Sequence, residues 1–349
     1  MIDLVRRYLQ SAIEERVFPG CSAGIYYKNQ SHLLCLGHHT YDKNSPEVTS
    51  DTIYDVASVT KVIPVSALAL KLINDNQMQI SDQLIKYVPE FKGSHREEIQ
   101  IKHLLTHTLS FDFRLSDYKD LSSDSIIEKI LSARLQDRPG ERFFYANATS
   151  ILLGMAVERC TGKTLDKAAS DSFFTPLGMN NTTFDPSKYD LQQVAPSEID
   201  YWRGRLIQSE VHDESAWALR PKIVGSAGLF STAADLLKFG QLLLENGVYE
   251  GKEFFRPETI NSMHTNQRPG AAEWTGLGWE LNQRSFMGKF SSASAFGKTG
   301  FTGCSVVIDP QKKVAFVLLS NHVYPRRRSN RDCINAVRSG FADCIIQNL

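Results

Sequence analysis

The sequence predicts an α+β fold, in which helices from both chain ends flank one antiparallel β-sheet that carries a mostly helical insert. Apolar runs typical of strands occupy residues 21–27 and 32–37 near the start, and 277–283, 303–309 and 313–320 near the end. Helical patterns fill the chain between them. Strands from both ends most simply join one sheet, so we expect the terminal helices on one face and the insert on the other.

The first elements are a helix and a hairpin. Apolar residues at helical spacing predict a helix over residues 3–16, and Pro19-Gly20 ends it. The polar stretch 28–31 separates two β-rich runs and indicates a β-hairpin.

From about residue 55 the pattern changes to helices and loops. Helices are predicted at 58–75, 101–107, 123–134, 148–160, 165–174, 232–246 and 257–263, and a last one at 331–347. We find no repeat, low-complexity segment or Pro/Gly-rich linker. The predicted organisation is a sheet lobe (1–50 and 270–349) and a mostly helical lobe (51–269), with the active site between them.

Composition narrows the function classes. The 349 residues include 39 Lys and Arg against 39 Asp and Glu. The chain therefore lacks the net positive charge that would favour binding to nucleic acid. None of the six cysteines forms a C-x-x-C pair, which favours reduced thiols over a zinc site.

We see no run near the ~20 apolar residues of a membrane span. The N-terminus lacks a secretory pattern, so we expect a cytoplasmic protein; a chain with its signal peptide removed would look the same, which leaves the periplasm open. The oligomeric state is not indicated.

Three short motifs combine residues that carry chemistry. The first is Ser58-Val59-Thr60-Lys61 at the start of a predicted helix. Spacing i, i+3 places the hydroxyl and the amine on one face, where the amine can take the serine proton. The alternative is that Ser58 only caps the helix.

The second motif is Tyr145-Ala146-Asn147 and the third is Lys298-Thr299-Gly300. A tyrosine at a loop-to-helix junction can shuttle a proton, and an asparagine amide can orient a carbonyl; alternatively Asn147 is an N-cap. Glycines before a strand let a substrate backbone come close; alternatively the third motif is a glycine-rich turn.

Taken together, in this order and at these separations, the three motifs resemble the serine β-lactamase and penicillin-binding-protein superfamily. The similarity is to its class C-like branch, which also holds esterases and D-amino-acid peptidases. It spans roughly residues 15–322, with further matching segments at 104–108, 211–216 and 227–233. The resemblance implies a β-lactamase/transpeptidase-like fold.

The resemblance also implies the catalytic roles. Ser58 would be the acylated nucleophile and Lys61 its general base. Tyr145 would complete the proton relay to the leaving group and activate water for deacylation.

Further residues would bind the substrate. Asn147 would contact the acyl side chain, while Lys298 and Thr299 would hold a substrate carboxylate. The oxyanion hole would use the backbone N–H groups of Ser58 and of Phe301, which follows Gly300.

Other residue patterns are interpreted as structural. His103 and His107 have the spacing of a zinc helix, but Leu104 stands where the glutamate of that motif would be. His212-Asp213 is expected to organise a loop that walls the site.

The predicted function is a serine hydrolase that cleaves ester or amide bonds through an acyl-enzyme on Ser58, with no metal or cofactor. Its partner would be a small-molecule substrate: an ester, an amide such as a D-amino-acid peptide, or a β-lactam. A cytoplasmic location favours an esterase or D-peptidase, whereas the intact Lys298 favours carboxylate-bearing substrates. The alternative is a non-catalytic or very slow ligand-binding protein on the same scaffold.

Overall fold

The computed structural model describes residues 1–349 and contains eleven α-helices and twelve strands. The helices are α1 Ile2–Glu14, α2 Ala67–Asn74, α3 Ile101–Leu105, α4 Ser123–Leu131, α5 Asn147–Thr161, α6 Leu165–Ala169, α7 Glu214–Ala218, α8 Ala233–Leu244, α9 Pro257–His264, α10 Arg284–Met287 and α11 Asp332–Ile346. The strands are β1 Gly20–Tyr27, β2 Gln30–Gly37, β3 Tyr54–Asp55, β4 Ile199–Asp200, β5 Arg205–Leu206, β6 Phe230–Ser231, β7 Val248–Tyr249, β8 Lys252–Glu253, β9 Glu280–Leu281, β10 Phe296–Thr299, β11 Ser305–Asp309 and β12 Val314–Ser320.

Six strands from the two ends of the chain form one antiparallel sheet, in the order β2-β1-β12-β11-β10-β9. The first hairpin turns through Lys28 and Asn29, which both have positive φ angles (50° and 59°). A two-residue hairpin turn of this kind requires positive φ angles at both central residues. Because the turn is this short, β2 begins at Gln30 and not at residue 32 as the sequence predicts. The predicted α+β fold class is confirmed.

The two faces of this sheet carry different cores. Alternate residues of β12 point to opposite sides: Phe316 and Leu318 join a cluster of 22 buried residues with α1 and α11, which we call the back layer. Val317 and Leu319 join a cluster of 69 buried residues that includes α8 and the other helices of the insert. This alternation is the period of two expected of a strand buried on both faces.

The predicted helix over 58–75 is wrong as one continuous element. A 3₁₀ turn (Ala57–Lys61) and a π-helical turn (Val62–Ser66) precede α2, and Ile63 has extended angles (φ −118°, ψ 106°). Pro64 causes the break, because a proline disfavours the helical region for the residue before it. By length and apolar composition the window Ala57–Asn74 passes as a membrane span, contrary to expectation, but 78% of it is buried inside the protein.

Near the end of the chain two predictions need correction. The strand expected over 277–283 shrinks to β9, because Gly278 and Asn282 have positive φ angles (84° and 52°), which an extended strand does not have. The segment Phe296–Thr299, which was not predicted, forms β10. Lys298 and Thr299 therefore lie on a strand, and the turn begins at Gly300.

Candidate active site

A cavity of about 580 Å³ brings the three motifs together. Six of the eight predicted site residues line it: Ser58, Tyr145, Asn147, Lys298, Thr299 and Phe301. The other two support it, since Lys61 is buried beside Ser58 and Gly300 lies in the turn after β10.

Ser58 and Lys61 lie in the 3₁₀ turn before α2. Residues i and i+3 eclipse in such a turn, and the Lys61 Nζ is 3.1 Å from the Ser58 Oγ. The Lys61 side chain is 1% exposed and donates a second hydrogen bond of 2.6 Å to the Ser226 carbonyl. Ser58 is inside the turn, whose N-cap position is Val56, so the capping alternative is wrong.

The backbone before the nucleophile is strained. Ala57 has a φ of +47°, which a residue with a Cβ rarely adopts. The buried carboxylate of Asp55 holds it there, because its Oδ1 accepts a 2.7 Å hydrogen bond from the Ala57 N–H. Asp55 Oδ2 also accepts the His212 N–H at 2.7 Å, which ties the serine turn to the loop that carries Asp213.

Tyr145 lies between two lysines. The Lys298 Nζ is 4.1 Å and the Lys61 Nζ 5.2 Å from the centre of its ring. Tyr145 is 42% exposed, yet the loss of water around its hydroxyl would raise its pKa. The two lysines and an interaction with Ser58 outweigh this loss and the charge of Glu280, so the pKa of Tyr145 is lower than usual. This environment suits a tyrosine that accepts and returns a proton.

Lys298 is buried at the edge of β10 and pairs with Glu280 on β9. Burial would lower the pKa of Lys298, but Glu280 and Tyr145 outweigh it and the net shift is upward. The lysine therefore enters the cavity as a cation that already has a carboxylate partner. Glu280 also lines the cavity and was not predicted.

The two residues expected to supply the oxyanion hole, Ser58 and Phe301, both line the cavity. The Phe301 N–H donates no main-chain hydrogen bond within the protein. The turn that presents Phe301 needs a glycine before it, because a Cβ on Gly300 would lie 2.3 Å from the Val56 carbonyl oxygen. Thr302 anchors the same turn by donating a 2.7 Å hydrogen bond to the Asp55 carbonyl.

Asn147 is the first residue of α5, and Ala146 holds the N-cap position, so the capping alternative is wrong. The Asn147 amide donates to Asp213 Oδ2 at 3.0 Å and to Ser215 Oγ at 2.9 Å. Burial opposes ionisation of Asp213, but Lys61 and these neighbours outweigh it and lower its pKa. Asp213 also caps α7, so the pair His212-Asp213 does shape the cavity wall, as expected.

His107 is a neighbour of Tyr145 that the sequence interpretation treated only as structural. The two ring centres are 5.0 Å apart, and burial, aided by Lys298 and Lys61, holds the pKa of His107 well below its usual value. The imidazole is therefore neutral against the tyrosine. No group of three or more His, Cys, Asp or Glu side chains is arranged to hold a metal ion.

Known proteins are similar to this chain in sequence. A family model described as Beta-lactamase matches residues 5–337. A protein of Escherichia coli (strain K12) named "Putative D-alanyl-D-alanine carboxypeptidase" is 30% identical over 306 residues, covering 79% of this chain and 70% of that protein. One of the same name from Salmonella agona is 28% identical over 304 residues, covering 78% and 70%.

Solved structures agree with the fold. One described as "EstCE1, a hydrolase with promiscuous acyltransferase activity" superposes with a TM-score of 0.76 at 21% identity, covering 97% of this chain and 98% of that one. A penicillin-binding-protein homologue from Caulobacter crescentus gives 0.77 at 16% identity, covering 98% and 97%. With the family model matching nearly its whole length, this chain belongs to the Beta-lactamase family.

Proposed function

We propose that the protein is a serine hydrolase that cleaves ester or amide bonds by transferring the acyl group first to Ser58 and then to water. The carrying observation is the 3.1 Å contact between the Ser58 Oγ and the Lys61 Nζ inside a cavity. The tyrosine between two lysines and the N–H groups of Ser58 and Phe301 would supply the other parts that acyl transfer needs.

In acylation, the Ser58 Oγ attacks the substrate carbonyl carbon while its proton passes to the Lys61–Tyr145 pair. The N–H groups of Ser58 and Phe301 would hold the oxyanion that forms. When the tetrahedral intermediate collapses, the bond to the leaving group breaks and Tyr145 returns the proton to that group. One such donor is worth roughly 3 kcal/mol of transition-state stabilisation.

Deacylation uses the same groups in reverse. A water molecule attacks the acyl carbon and gives its proton to the Tyr145–Lys61 pair. The bond to Ser58 then breaks, the serine regains a proton, and the carboxylic acid leaves.

The cavity favours small acyl compounds. A volume of about 580 Å³ lies in the range that takes a small molecule. Lys298 and Thr299 at the edge of β10 support a substrate that carries a carboxylate, and two relatives bear the name of a D-alanyl-D-alanine carboxypeptidase. We therefore place D-amino-acid peptides and β-lactams beside simple esters as candidate substrates.

Labelling of the nucleophile tests this proposal. The intact mass is measured after brief exposure to benzylpenicillin and, separately, to p-nitrophenyl butyrate, and the modified peptide is mapped. We expect ester turnover or a penicillin adduct on Ser58, and neither in the matched variant Ser58→Ala. If neither reagent is consumed or bound covalently, the proposal is wrong and the alternative of a binding protein on this scaffold is favoured.

A further inference from the structure

Arg338 is a buried arginine that reaches the active-site turn from the back layer. It lies on α11 and is 1% exposed. Its hydrogen-bond acceptors are all neutral: the Gly300 carbonyl at 2.7 Å, the Cys304 carbonyl at 2.9 Å and the Asn335 Oδ1 at 2.9 Å. Burying a charge without a carboxylate partner opposes folding, so its retention calls for an explanation.

The two carbonyls belong to the turn that follows β10. Gly300 N–H donates to the Cys304 carbonyl at 2.7 Å, and Gly303 N–H donates to the Gly300 carbonyl at 3.2 Å. Arg338 adds a donor to each of these carbonyls. Both bonds come from Nη2, so one nitrogen of the planar guanidinium holds both ends of the turn.

The Gly300 carbonyl and the Phe301 N–H are parts of the same peptide unit. A charged donor on the carbonyl draws electron density toward that oxygen and makes the N–H of the unit a stronger donor. The C=O and N–H of a trans peptide point in opposite directions, so a positive charge at the carbonyl lies at the end of the peptide away from the N–H. Both effects favour a negative oxygen in front of the Phe301 N–H.

We propose that Arg338 is a positioning residue that orients and polarises the Phe301 N–H of the oxyanion hole. This inference rests on the proposed acyl-enzyme function. Burial lowers the pKa of Arg338 to about 10, so the group keeps its charge at neutral pH despite its surroundings. A role confined to packing would need neither that charge nor the two hydrogen bonds to these carbonyls.

The test compares Arg338→Met, Arg338→Gln and Arg338→Lys with the wild type. The control is Arg284→Met, which removes an arginine that donates to the carbonyls of Lys289 and Ser291, away from the turn. The acylation rate with p-nitrophenyl butyrate, the inhibition constant of an alkylboronic acid and the thermal unfolding midpoint are measured for each. The boronic acid forms one B–O bond to Ser58 and places a boron-bound oxygen in the oxyanion hole.

We expect Arg338→Met to slow acylation and to weaken boronate inhibition by the same factor, about 10- to 100-fold, because the Phe301 donor is weakened rather than lost. KM and the apparent pKa of the pH profile stay as in the wild type, since the proton relay is untouched. Arg338→Lys, which keeps a charged donor, is expected to retain more activity than Arg338→Gln. Arg284→Met stays within twofold of the wild type.

Two results would overturn the inference. In one, the wild type is acylated on Ser58, and all folded Arg338 variants are acylated at the wild-type rate and bind the boronate with the wild-type affinity. The proposed function then stands, and only the role of Arg338 is contradicted. In the other, the wild type itself is not acylated, and both fall together. If Arg338→Met does not fold, the ratio between the Lys and Gln variants decides, because equal activity in these two contradicts a role for the charge.

Discussion

The two sides of the sheet differ in what they bury. Beside its apolar core the cleft side buries the amines of Lys61 (1% exposed) and Lys298 (2%), and it holds the partly buried carboxylate of Asp213, around a backbone strained at Ala57. The back layer buries 22 apolar residues of α1, α11, the sheet and neighbouring segments. Buried charges and strain weaken a fold, whereas buried apolar surface stabilises it. The cleft side therefore combines its chemistry with the larger core of 69 buried residues, whereas the back layer contributes apolar packing.

The comparison makes a definite claim about variants. A change in the cleft should alter reactivity far more than stability, and a change in the back layer should do the reverse. Arg338 is the exception, because it is anchored in the back layer and acts on the turn of the cleft.

The largest effect is expected from Lys61→Met. General-base assistance contributes about 10²–10⁴-fold, so acylation should slow by that factor. The free energy of unfolding should stay within about 1 kcal/mol, because an apolar chain of similar length replaces a buried polar one. Stopped-flow acylation and denaturant unfolding measure the two quantities. Acylation at the wild-type rate would remove Lys61 from the role of base.

The opposite result is expected from Phe341→Ala in the back layer. Phe341 is fully buried and packs edge-on against Phe316, with ring centres 5.7 Å apart. Removing it should destabilise the protein by about 3–5 kcal/mol, while kcat/KM per folded molecule is unchanged. Urea unfolding with active-site titration checks both. A large loss of kcat/KM in the folded fraction would show that the two faces are coupled.

The sequence was informative where a residue carries its own signal. The three motifs could be found because Ser58, Lys61 and Lys298 are chemically distinctive and occur in a recognisable order. The terminal helices and the strands β1, β2, β11 and β12 could be found from apolar periodicity. The break at Ile63 also had a signal in Pro64, but the long apolar pattern favoured one continuous helix.

What could not be predicted depends on contacts between distant segments. Glu280 meets Lys298 only through the pairing of β9 with β10, and β10 is four residues long with a glycine, a lysine and a threonine among them. Arg338 lies 38 residues from Gly300 and reaches it from α11. His107 meets Tyr145 through the packing of two loops. A local sequence pattern does not indicate which distant segments come into contact.

A smaller effect than those above is expected from Lys298→Met. Of the two lysines that lower the pKa of Tyr145, Lys298 has the larger effect, so its removal should raise that pKa. The rising limb of kcat/KM against pH should move to higher pH, and activity at pH 7 should fall by roughly one order of magnitude. Lys298→Arg keeps the charge and is the control. The same limb in Lys298→Met and wild type would show that Tyr145 does not set the profile.

The smallest effect is expected from Glu280→Gln, and its sign is opposite. Glu280 raises the pKa of Tyr145, though less than Lys298 lowers it. Neutralising it should lower the pKa of Tyr145 further and move the rising limb to lower pH, with little change at pH 7. It should also free the charge of Lys298, so KM for a carboxylate-bearing substrate should fall by a few-fold, whereas KM for a neutral ester should not. Opposite shifts in the two variants would establish that the charges around Tyr145 tune the reaction; shifts in the same direction would mean that both substitutions only disturb the edge of the sheet.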